Sequence, residues 1–168
     1  VLMMGKTGIK TAIILAAGKG TRLDKMTKGE YPKPLIPIAG TPIIEWSIQA
    51  LKNQGVDRIL LGCGHMIESF SYLVEKYQGV EIVENPKFDT LGSLSTLMIF
   101  EGIVSEEFYL LEADIIYDPV VLEGLNSGDS TKNFISTSNA VELDDNIFVS
   151  SIDETLVNVK RQVDQNAG

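Results

Sequence analysis

The sequence is poor in the residues that build disulfide frameworks and histidine-rich metal sites. It has one cysteine, Cys63, and one histidine, His65, among 168 residues. A single cysteine excludes an internal disulfide framework and is typical of a protein kept in a reducing compartment. A lone histidine leaves no partner for a histidine pair on a metal. These absences predict a cytoplasmic protein in which Cys63 is a small buried hydrophobe.

Positive charge and long apolar runs are also scarce. The 14 basic residues are outnumbered by 23 acidic ones, for a formal net charge of −9, and no basic run interrupts that balance. This balance argues against a nucleic acid polymer as partner. The longest apolar runs, such as Ala12–Ala17, have the length of a strand and are too short to span a membrane. The N-terminus lacks the long apolar region and cleavage site of a signal peptide, so we expect no membrane partner.

Strand-like and helix-like segments alternate along the chain after a loose tail over residues 1–10. Predicted strands cover Thr11–Ala17, Arg58–Gly62, Val80–Val83, Phe108–Glu112 and Asn133–Thr137, and a hairpin joins Asn146–Ile152 to Leu156–Val159 across Asp153-Glu154. Predicted helices run from Thr41-Pro42 to a stop at Gly55, over Met66–Tyr77 with Ile67, Phe70, Leu73 and Val74 inside, over Leu94–Phe100, and from a cap at Asp118 to Leu125. This order predicts an α/β domain over 11–168 with a mainly parallel sheet and helices on both faces. Ligands of such sheets bind at the carboxyl ends of the strands.

A long glycine-containing loop follows the first strand. Gly18 and Gly20 allow backbone N–H groups to approach an anion, while Lys19 and Arg22 can neutralise it, so the loop predicts phosphate binding. A dinucleotide loop would need a third glycine where Leu23 stands. The segment Gly5-Lys6-Thr7 has no preceding strand and no upstream glycine, so it is not a P-loop.

The motif LAAGKGTR, from Leu15 to Arg22, is followed by Pro32-Lys33-Pro34. This pair of motifs resembles the signature of the nucleotidyltransferase family. Glu112-Ala113-Asp114 and the segment Gly92–Leu97 stand where sugar-1-phosphate enzymes of that family carry other motifs. In these segments the chain is similar to the cytidylyltransferases that activate phosphocholine or 2-aminoethylphosphonate. The resemblance implies a three-layer Rossmann-like nucleotidyltransferase fold with a mainly parallel, mixed sheet.

The resemblance also implies a reaction, in which CMP passes from CTP to a small phospho- or phosphono-amine and pyrophosphate leaves. It implies Lys33 and Arg22 as catalytic cations and Asp114 as the ligand of Mg²⁺. Asp89 and Glu112 are weaker candidates for contacts with the acceptor's amine. The nucleotide-binding residues that it implies are Leu15, Ala16, Ala17, Gly18, Gly20, Thr21, Gly64 and Ser93.

Catalytic domains of this family are longer than this chain, and no aspartate near its end matches their second metal ligand. We therefore expect a chain truncated at its C-terminal end, or part of a longer or fused enzyme, which could be inactive alone. Two other functions stay open: a sugar-1-phosphate nucleotidyltransferase that uses UTP or dTTP, and a non-catalytic nucleotide-binding module. A homodimer is compatible with the sequence.

Overall fold

The computed structural model of the chain describes residues 8–20, 31–90, 92–126, 132–137, 147–153 and 155–161. Its contacts divide the chain into two compact units, Val1–Lys132 and Asn133–Gly168. The predicted single domain over 11–168 stays a prediction.

The described part of the first unit is organised around a parallel sheet. Its strands are β1 (Thr11–Ala16), β4 (Arg58–Cys63), β5 (Val80–Glu84) and β6 (Phe108–Glu112), while β2 (Pro37–Ile38) and β3 (Thr41–Pro42) form a separate antiparallel pair. The sheet order is β5-β4-β1-β6, and every neighbouring pair in it is parallel. The chain adds β4 and β5 on one side of β1 and then returns to add β6 on the other. Strand order therefore reverses beside β1, which is where open α/β sheets bind ligands.

Helices connect the strands. They are α1 (Ile43–Asn53), α2 (Ser71–Lys76), α3 (Ser93–Met98) and α4 (Pro119–Asn126), with single 3-10 turns at Lys33–Leu35 and Ile67–Phe70. In α1, Ile44, Ile48 and Leu51 recur at helical spacing and are fully buried, so they form one apolar stripe. No helix in the described ranges is long and apolar enough to cross a membrane.

Alternate residues of β1 build two apolar layers. Ala12, Ile14 and Ala16 belong to the larger core cluster, which contains residues of α1, α2 and α4. Ile13 belongs to a smaller cluster with Phe100, against which Leu97 of α3 packs. Because successive side chains of a strand point to opposite faces, this division places helices on both sides of the sheet. The predicted three-layer arrangement is confirmed.

The helix predicted over Met66–Tyr77 is interrupted. Met66 has a φ of 51°, in the left-handed region, so the chain turns there before the 3-10 segment and α2. Phe70 and Leu73 are buried as predicted, but Val74 is 44% exposed, and its assignment to the inner face was wrong. The segment begins as a 3-10 turn over Ile67–Phe70 and becomes α-helical only from Ser71, so one helical period does not run through Ile67, Phe70, Leu73 and Val74.

Two further local predictions are wrong. Pro42 is the N-cap residue of α1 and not its first helical residue, because its backbone is extended with ψ of 141° and it pairs with Pro37 in the small β2–β3 ladder. Segment Asn133–Thr137 forms no strand, and its apolar residues Phe134 and Ile135 are more than half exposed. No described strand pairs with that segment, so its β-branched and aromatic residues have no ladder to join.

The described part of the second unit is a β-hairpin. Strands β7 (Ile147–Ile152) and β8 (Thr155–Arg161) pair antiparallel, with an irregularity in the register between Ser150 and Ser151. Asp153 at the turn has a φ of 47°, a conformation that aspartate tolerates better than most residues. The predicted hairpin is confirmed.

Candidate active site

The glycine loop leaves β1 at the carboxyl edge of the sheet. Gly20 has a φ of 65°, and a Cβ placed there would lie 3.0 Å from Cβ of Lys33, so the loop backbone closely approaches that lysine. A Cβ at Gly18 would meet no atom of the described residues within 4 Å, so these residues leave open space beside the loop. None of the described residues accepts a hydrogen bond from the N–H groups of Gly18, Lys19 or Gly20. Such N–H groups can bind an anion.

Lys33 is held by a rigid segment across from this loop. It begins the 3-10 turn Lys33–Leu35 between two buried prolines, Pro32 and Pro34, whose rings fix the local backbone. Its ammonium donates to Oδ2 of Asp114 at 2.5 Å. The side chains of Lys33 and Asp114 are 33% and 37% exposed, so a ligand in solution can reach both.

The loop that carries Asp114 is braced on three sides. The Ala113 N–H donates to the Leu15 carbonyl at 3.2 Å, which ties the loop to the end of β1. The Ser47 hydroxyl, from α1, donates to the Ile115 carbonyl at 3.0 Å. The Tyr117 hydroxyl accepts from the Glu112 N–H at 3.0 Å, which ties the far side of the loop to the end of β6. These bonds fix the backbone on both sides of Asp114.

Among the described residues, the ionisable groups that interact with Asp114 are Lys33, Glu112 and Tyr117. Desolvation, and then the neighbouring charge of Asp114, raise the pKa of the Glu112 carboxyl above its ordinary value. Desolvation likewise raises the pKa of the Tyr117 hydroxyl. Because the charges of Glu112 and Asp114 repel each other, binding of a cation beside them would be favourable. Such a cation could also contact the phosphates of a ligand.

A second group of side chains lies on the β4–β5 side of the glycine loop. The His65 N–H, just after β4, donates to the Ala17 carbonyl at 3.2 Å. Phe88, after β5, lies against Gly64 so closely that an added Cβ there would come within 2.5 Å of Phe88 Cγ. The Lys19 ammonium lies over the Phe88 ring, 5.8 Å from its centroid.

The turn that presents Phe88 is organised by a buried asparagine. Asn85 is 1% exposed, and its backbone N–H donates to the Cys63 carbonyl at 2.7 Å. Its side-chain amide donates to the Thr96 hydroxyl at 2.9 Å, and its Oδ1 accepts from the Lys87 N–H at 3.0 Å. The Phe88 N–H in turn donates to the Asn85 carbonyl at 3.3 Å. The turn is therefore bonded to both β4 and α3.

A family model for the MobA-like NTP transferase domain matches residues 12–139. The chain belongs to this family. The predicted family and the predicted nucleotidyltransferase fold are thereby confirmed.

Several relatives of this MobA-like domain have known activities. A 2-aminoethylphosphonate cytidylyltransferase of Lancefieldella rimae is 40% identical over 114 residues, which are 67% of this chain and 46% of that protein. A choline-phosphate cytidylyltransferase of Streptococcus pneumoniae is 40% identical over 103 residues, or 61% of this chain and 44% of that protein. The chain thus spans about half the length of these two relatives. The solved CTP:phosphocholine cytidylyltransferase from Streptococcus pneumoniae superimposes with a TM-score of 0.73 at 28% identity, over 92% of this chain and 64% of that one.

The described residues of the MobA-like domain bring most predicted site residues to one edge of the sheet. The last residues of β1 and β6, together with the loops that follow β1, β4, β5 and β6, carry Leu15, Ala16, Ala17, Gly18, Gly20, Lys33, Gly64, Asp89, Glu112 and Asp114. Ser93 begins α3 at the same edge, with only its backbone described. Thr21 and Arg22 lie outside the described residues. The assigned roles of all these residues stay predictions.

A magnesium site at Asp114 is compatible with the side chains present. Within the described ranges no cluster of three or more His, Cys, Asp or Glu could hold a metal ion by itself. Mg²⁺ in nucleotide sites usually takes one or two carboxylates together with substrate phosphates and water. The Asp114 carboxylate is partly exposed and provides one such ligand. It lies close to the glycine loop, because its partner Lys33 is approached by Gly20.

Sequence reasoning missed the residues that support the site. Asn85, Ser47 and Tyr117 fix its loops, and Phe88 contacts Lys19. The dipeptide Asn85-Pro86 after a strand is a turn signal that could have identified the first of these. Nothing in the local sequence distinguishes Ser47 or Tyr117, since their bonding partners are backbone groups of other segments.

Proposed function

We propose that this protein transfers CMP from CTP to a small phospho- or phosphono-amine, such as phosphocholine or 2-aminoethylphosphonate, with release of pyrophosphate. The observation that carries the proposal is the reachable Lys33–Asp114 pair beside Gly20. It places a cation and a hard oxygen ligand next to backbone N–H groups that donate to none of the described residues. The two cytidylyltransferases to which the chain is 40% identical support the choice of CTP and of these acceptors.

The glycine loop binds the triphosphate in this proposal. The N–H groups of Gly18, Lys19 and Gly20, which donate to none of the described residues, would donate to phosphate oxygens and stabilise the charge that develops there. The open space beside Gly18 leaves room for phosphate oxygens. Arg22 belongs to the same family signature, and its guanidinium would donate two hydrogen bonds to the β- and γ-phosphates.

The chemical step is an in-line displacement at the α-phosphorus. A phosphate or phosphonate oxygen of the acceptor forms the new P–O bond, the bond to the bridging β-oxygen breaks, and pyrophosphate leaves with that electron pair. Lys33 leaves Asp114 for the α-phosphate and stabilises the negative charge that develops there. Asp114 would hold Mg²⁺, which when bound supplies positive charge to the phosphate oxygens.

Acidic residues favour a positively charged acceptor. Glu112 ends β6 two residues before Asp114, and Asp89 follows β5 at the same edge. A cationic amine or choline group near Glu112 would lower the pKa of that carboxyl and favour its charged form. A hexose 1-phosphate carries no cationic group and gains no such interaction.

The test incubates the full-length protein, expressed from the complete reading frame, with Mg²⁺, one nucleotide and one acceptor. The release of pyrophosphate is measured. The nucleotides are CTP, UTP and dTTP, and the acceptors are phosphocholine, 2-aminoethylphosphonate and a hexose 1-phosphate. We expect release with CTP and one of the two amines. Release only with UTP or dTTP and the hexose phosphate would replace this proposal with the sugar-nucleotide alternative.

The variant Lys33→Ala separates an enzyme from a non-catalytic nucleotide-binding module. An enzyme should lose turnover by several kcal/mol of transition-state stabilisation while CTP binding changes less. Lys10→Ala is the matched control, because Lys10 also pairs with an aspartate, Asp57, but at 3.8 Å and on the exposed surface. Binding of CTP without turnover for any acceptor would favour the module.

A further inference from the structure

Two of the described lysines at the glycine loop, Lys33 and Lys19, have different partners. Lys33, on the β6 side, is held by the carboxylate of Asp114. Lys19, within the loop itself, lies over the Phe88 ring on the β5 side. The loop backbone from Gly18 to Gly20 therefore runs between two cations that are drawn to opposite sides.

Phe88 is well suited to hold a lysine in one place. Its ring is fixed against Gly64, where no side chain would fit, and its backbone is bonded to the buried Asn85. A ring face presents negative electrostatic potential, and an ammonium within about 6 Å of the centroid is attracted to it. The 5.8 Å separation of Lys19 Nζ from the ring centroid meets this condition.

Phe88 differs from a carboxylate in one useful respect. A carboxylate at this position would repel the phosphates of a ligand, whereas an uncharged ring orients Lys19 without adding negative charge. The ammonium also keeps its positive charge available to an anion on its outer side. Lys19 is exposed and can meet such an anion.

We infer that Phe88 is a positioning residue that holds Lys19 beside the glycine loop as a second phosphate-binding cation, opposite Lys33. The inference rests on the proposed function, since it takes the loop as the triphosphate site. Phe88 touches neither phosphate nor the reacting atoms, and acts only through Lys19.

The test is a double-mutant cycle on the affinity for pyrophosphate and for CTP, each with Mg²⁺, measured by calorimetry. Phe88→Leu removes the ring but keeps an apolar side chain against Gly64, and Lys19→Met removes the charge but keeps the length. We expect Phe88→Leu to weaken both ligands by about two- to fivefold, in line with an exposed cation–π contact. In the Lys19→Met background the same change should have no further effect.

The conservative variant Phe88→Tyr keeps the ring face and should keep the wild-type affinities. If Phe88→Leu folds as well as Phe88→Tyr but binds both ligands more weakly, the loss is due to the missing ring and not to altered packing. If Phe88→Leu does not fold, the comparison of Lys19→Met with Phe88→Tyr decides: the first must bind pyrophosphate more weakly than the second. An equal loss from Phe88→Leu with and without Lys19 overturns the inference. So does a loss for CTP with unchanged pyrophosphate affinity, which would assign Phe88 to the base.

The same measurements separate this inference from the proposed function. Wild-type protein that binds neither CTP nor pyrophosphate overturns both. Wild-type protein that binds both ligands, with affinities that Lys19→Met leaves unchanged, overturns the inference alone.

Discussion

Two lysine–carboxylate pairs of similar geometry lie in very different surroundings. Lys33 donates to Asp114 at 2.5 Å and Lys76 donates to Glu45 at 2.6 Å. The Glu45 side chain is 3% exposed, whereas that of Asp114 is 37% exposed. A short contact alone therefore does not say whether a pair supports the fold or serves a ligand.

The Glu45 carboxylate accepts hydrogen bonds from three side chains. Besides Lys76, it accepts from the hydroxyls of Tyr77 at 2.5 Å and Tyr72 at 3.0 Å. Burial opposes ionisation, but the bonds from Lys76, Tyr77 and Tyr72 hold the pKa of Glu45 below its ordinary value. This network connects α1 to α2 and to Tyr77, which follows α2. Because the Glu45 side chain is 3% exposed, a ligand in solution does not reach it.

The Asp114 carboxylate can accept further hydrogen bonds or bind a metal ion. Among the described residues, Lys33 is the one donor to the Asp114 carboxylate. Both partners can be drawn away by a phosphate and a metal ion without leaving a buried charge unpaired. The contrast predicts that changes at Asp114 affect activity and that changes at Glu45 affect stability.

The largest expected effect is on activity in Asp114→Asn. We expect CTP-dependent pyrophosphate release to fall by about 100-fold or more, as when a preorganised electrostatic group is removed. The free energy of unfolding should change by less than about 0.5 kcal/mol, because the pair is partly exposed. The matched control is Asp57→Asn, at a carboxylate that is 78% exposed in a surface pair. Comparable rates for the two variants would contradict the role of Asp114.

The next effect is on stability in Glu45→Ala. The change removes the acceptor of three donors and a buried side chain, and should lower the free energy of unfolding by about 2 kcal/mol. Glu81→Ala is the control, since Glu81 pairs with Arg58 at 2.8 Å but its side chain is half exposed. We expect that control to lose about 0.5 kcal/mol or less in urea denaturation. Equal losses would mean that burial does not distinguish the two pairs.

A smaller effect is expected at the glycine loop. Gly20→Ala places a side chain at a φ of 65° and 3.0 Å from Cβ of Lys33, so it should cost about 1 kcal/mol of stability and reduce turnover by displacing that lysine. Gly18→Ala meets no atom within 4 Å and has no positive φ, so its stability should stay near that of the wild type. Thermal unfolding and pyrophosphate release measure both. Identical behaviour of the two variants would show that the approach of Gly20 to Lys33 has no consequence.

The smallest expected effect is a pH dependence of the Glu45 contribution. Because its pKa in the folded protein is lowered from 4.5, the stabilisation is present above that value and is lost as pH falls through the folded pKa. The stability difference between wild type and Glu45→Gln should therefore shrink below about pH 4.5. Urea denaturation at a series of pH values measures it. A difference that stays constant down to pH 3 would contradict an ionised Glu45.

Much of the fold could be predicted because it follows from local patterns. The apolar run of β1, the stripe of α1 and the segment Phe108–Glu112 each identify an element by composition and spacing. The rule that parallel strands end at a common edge then placed the glycine loop and Asp114 near the same site. Local patterns could not predict the left-handed Met66, because nothing in its side chain favours that backbone conformation.

The contacts of the site could not be predicted, because they join distant parts of the chain. Lys33 and Asp114 are 81 positions apart, and Glu45 is buried by donors that lie 27 to 32 positions away. In sequence, Glu45 is an ordinary acidic residue in the first turn of a helix. Its role depends on the packing of α2, which only the structure shows.

The most direct test of the contrast compares Lys33→Ala with Lys76→Ala, with pyrophosphate release and free energy of unfolding measured in each. Lys33→Ala should lose about 100-fold or more in rate with stability within about 0.5 kcal/mol of wild type. Lys76→Ala should keep its rate within about threefold while losing about 1 to 3 kcal/mol of stability, because it removes the cation from a buried carboxylate. Equal rate losses in the two variants, or an unchanged rate in Lys33→Ala, would contradict the assignment of Lys33 and Asp114 to the active site.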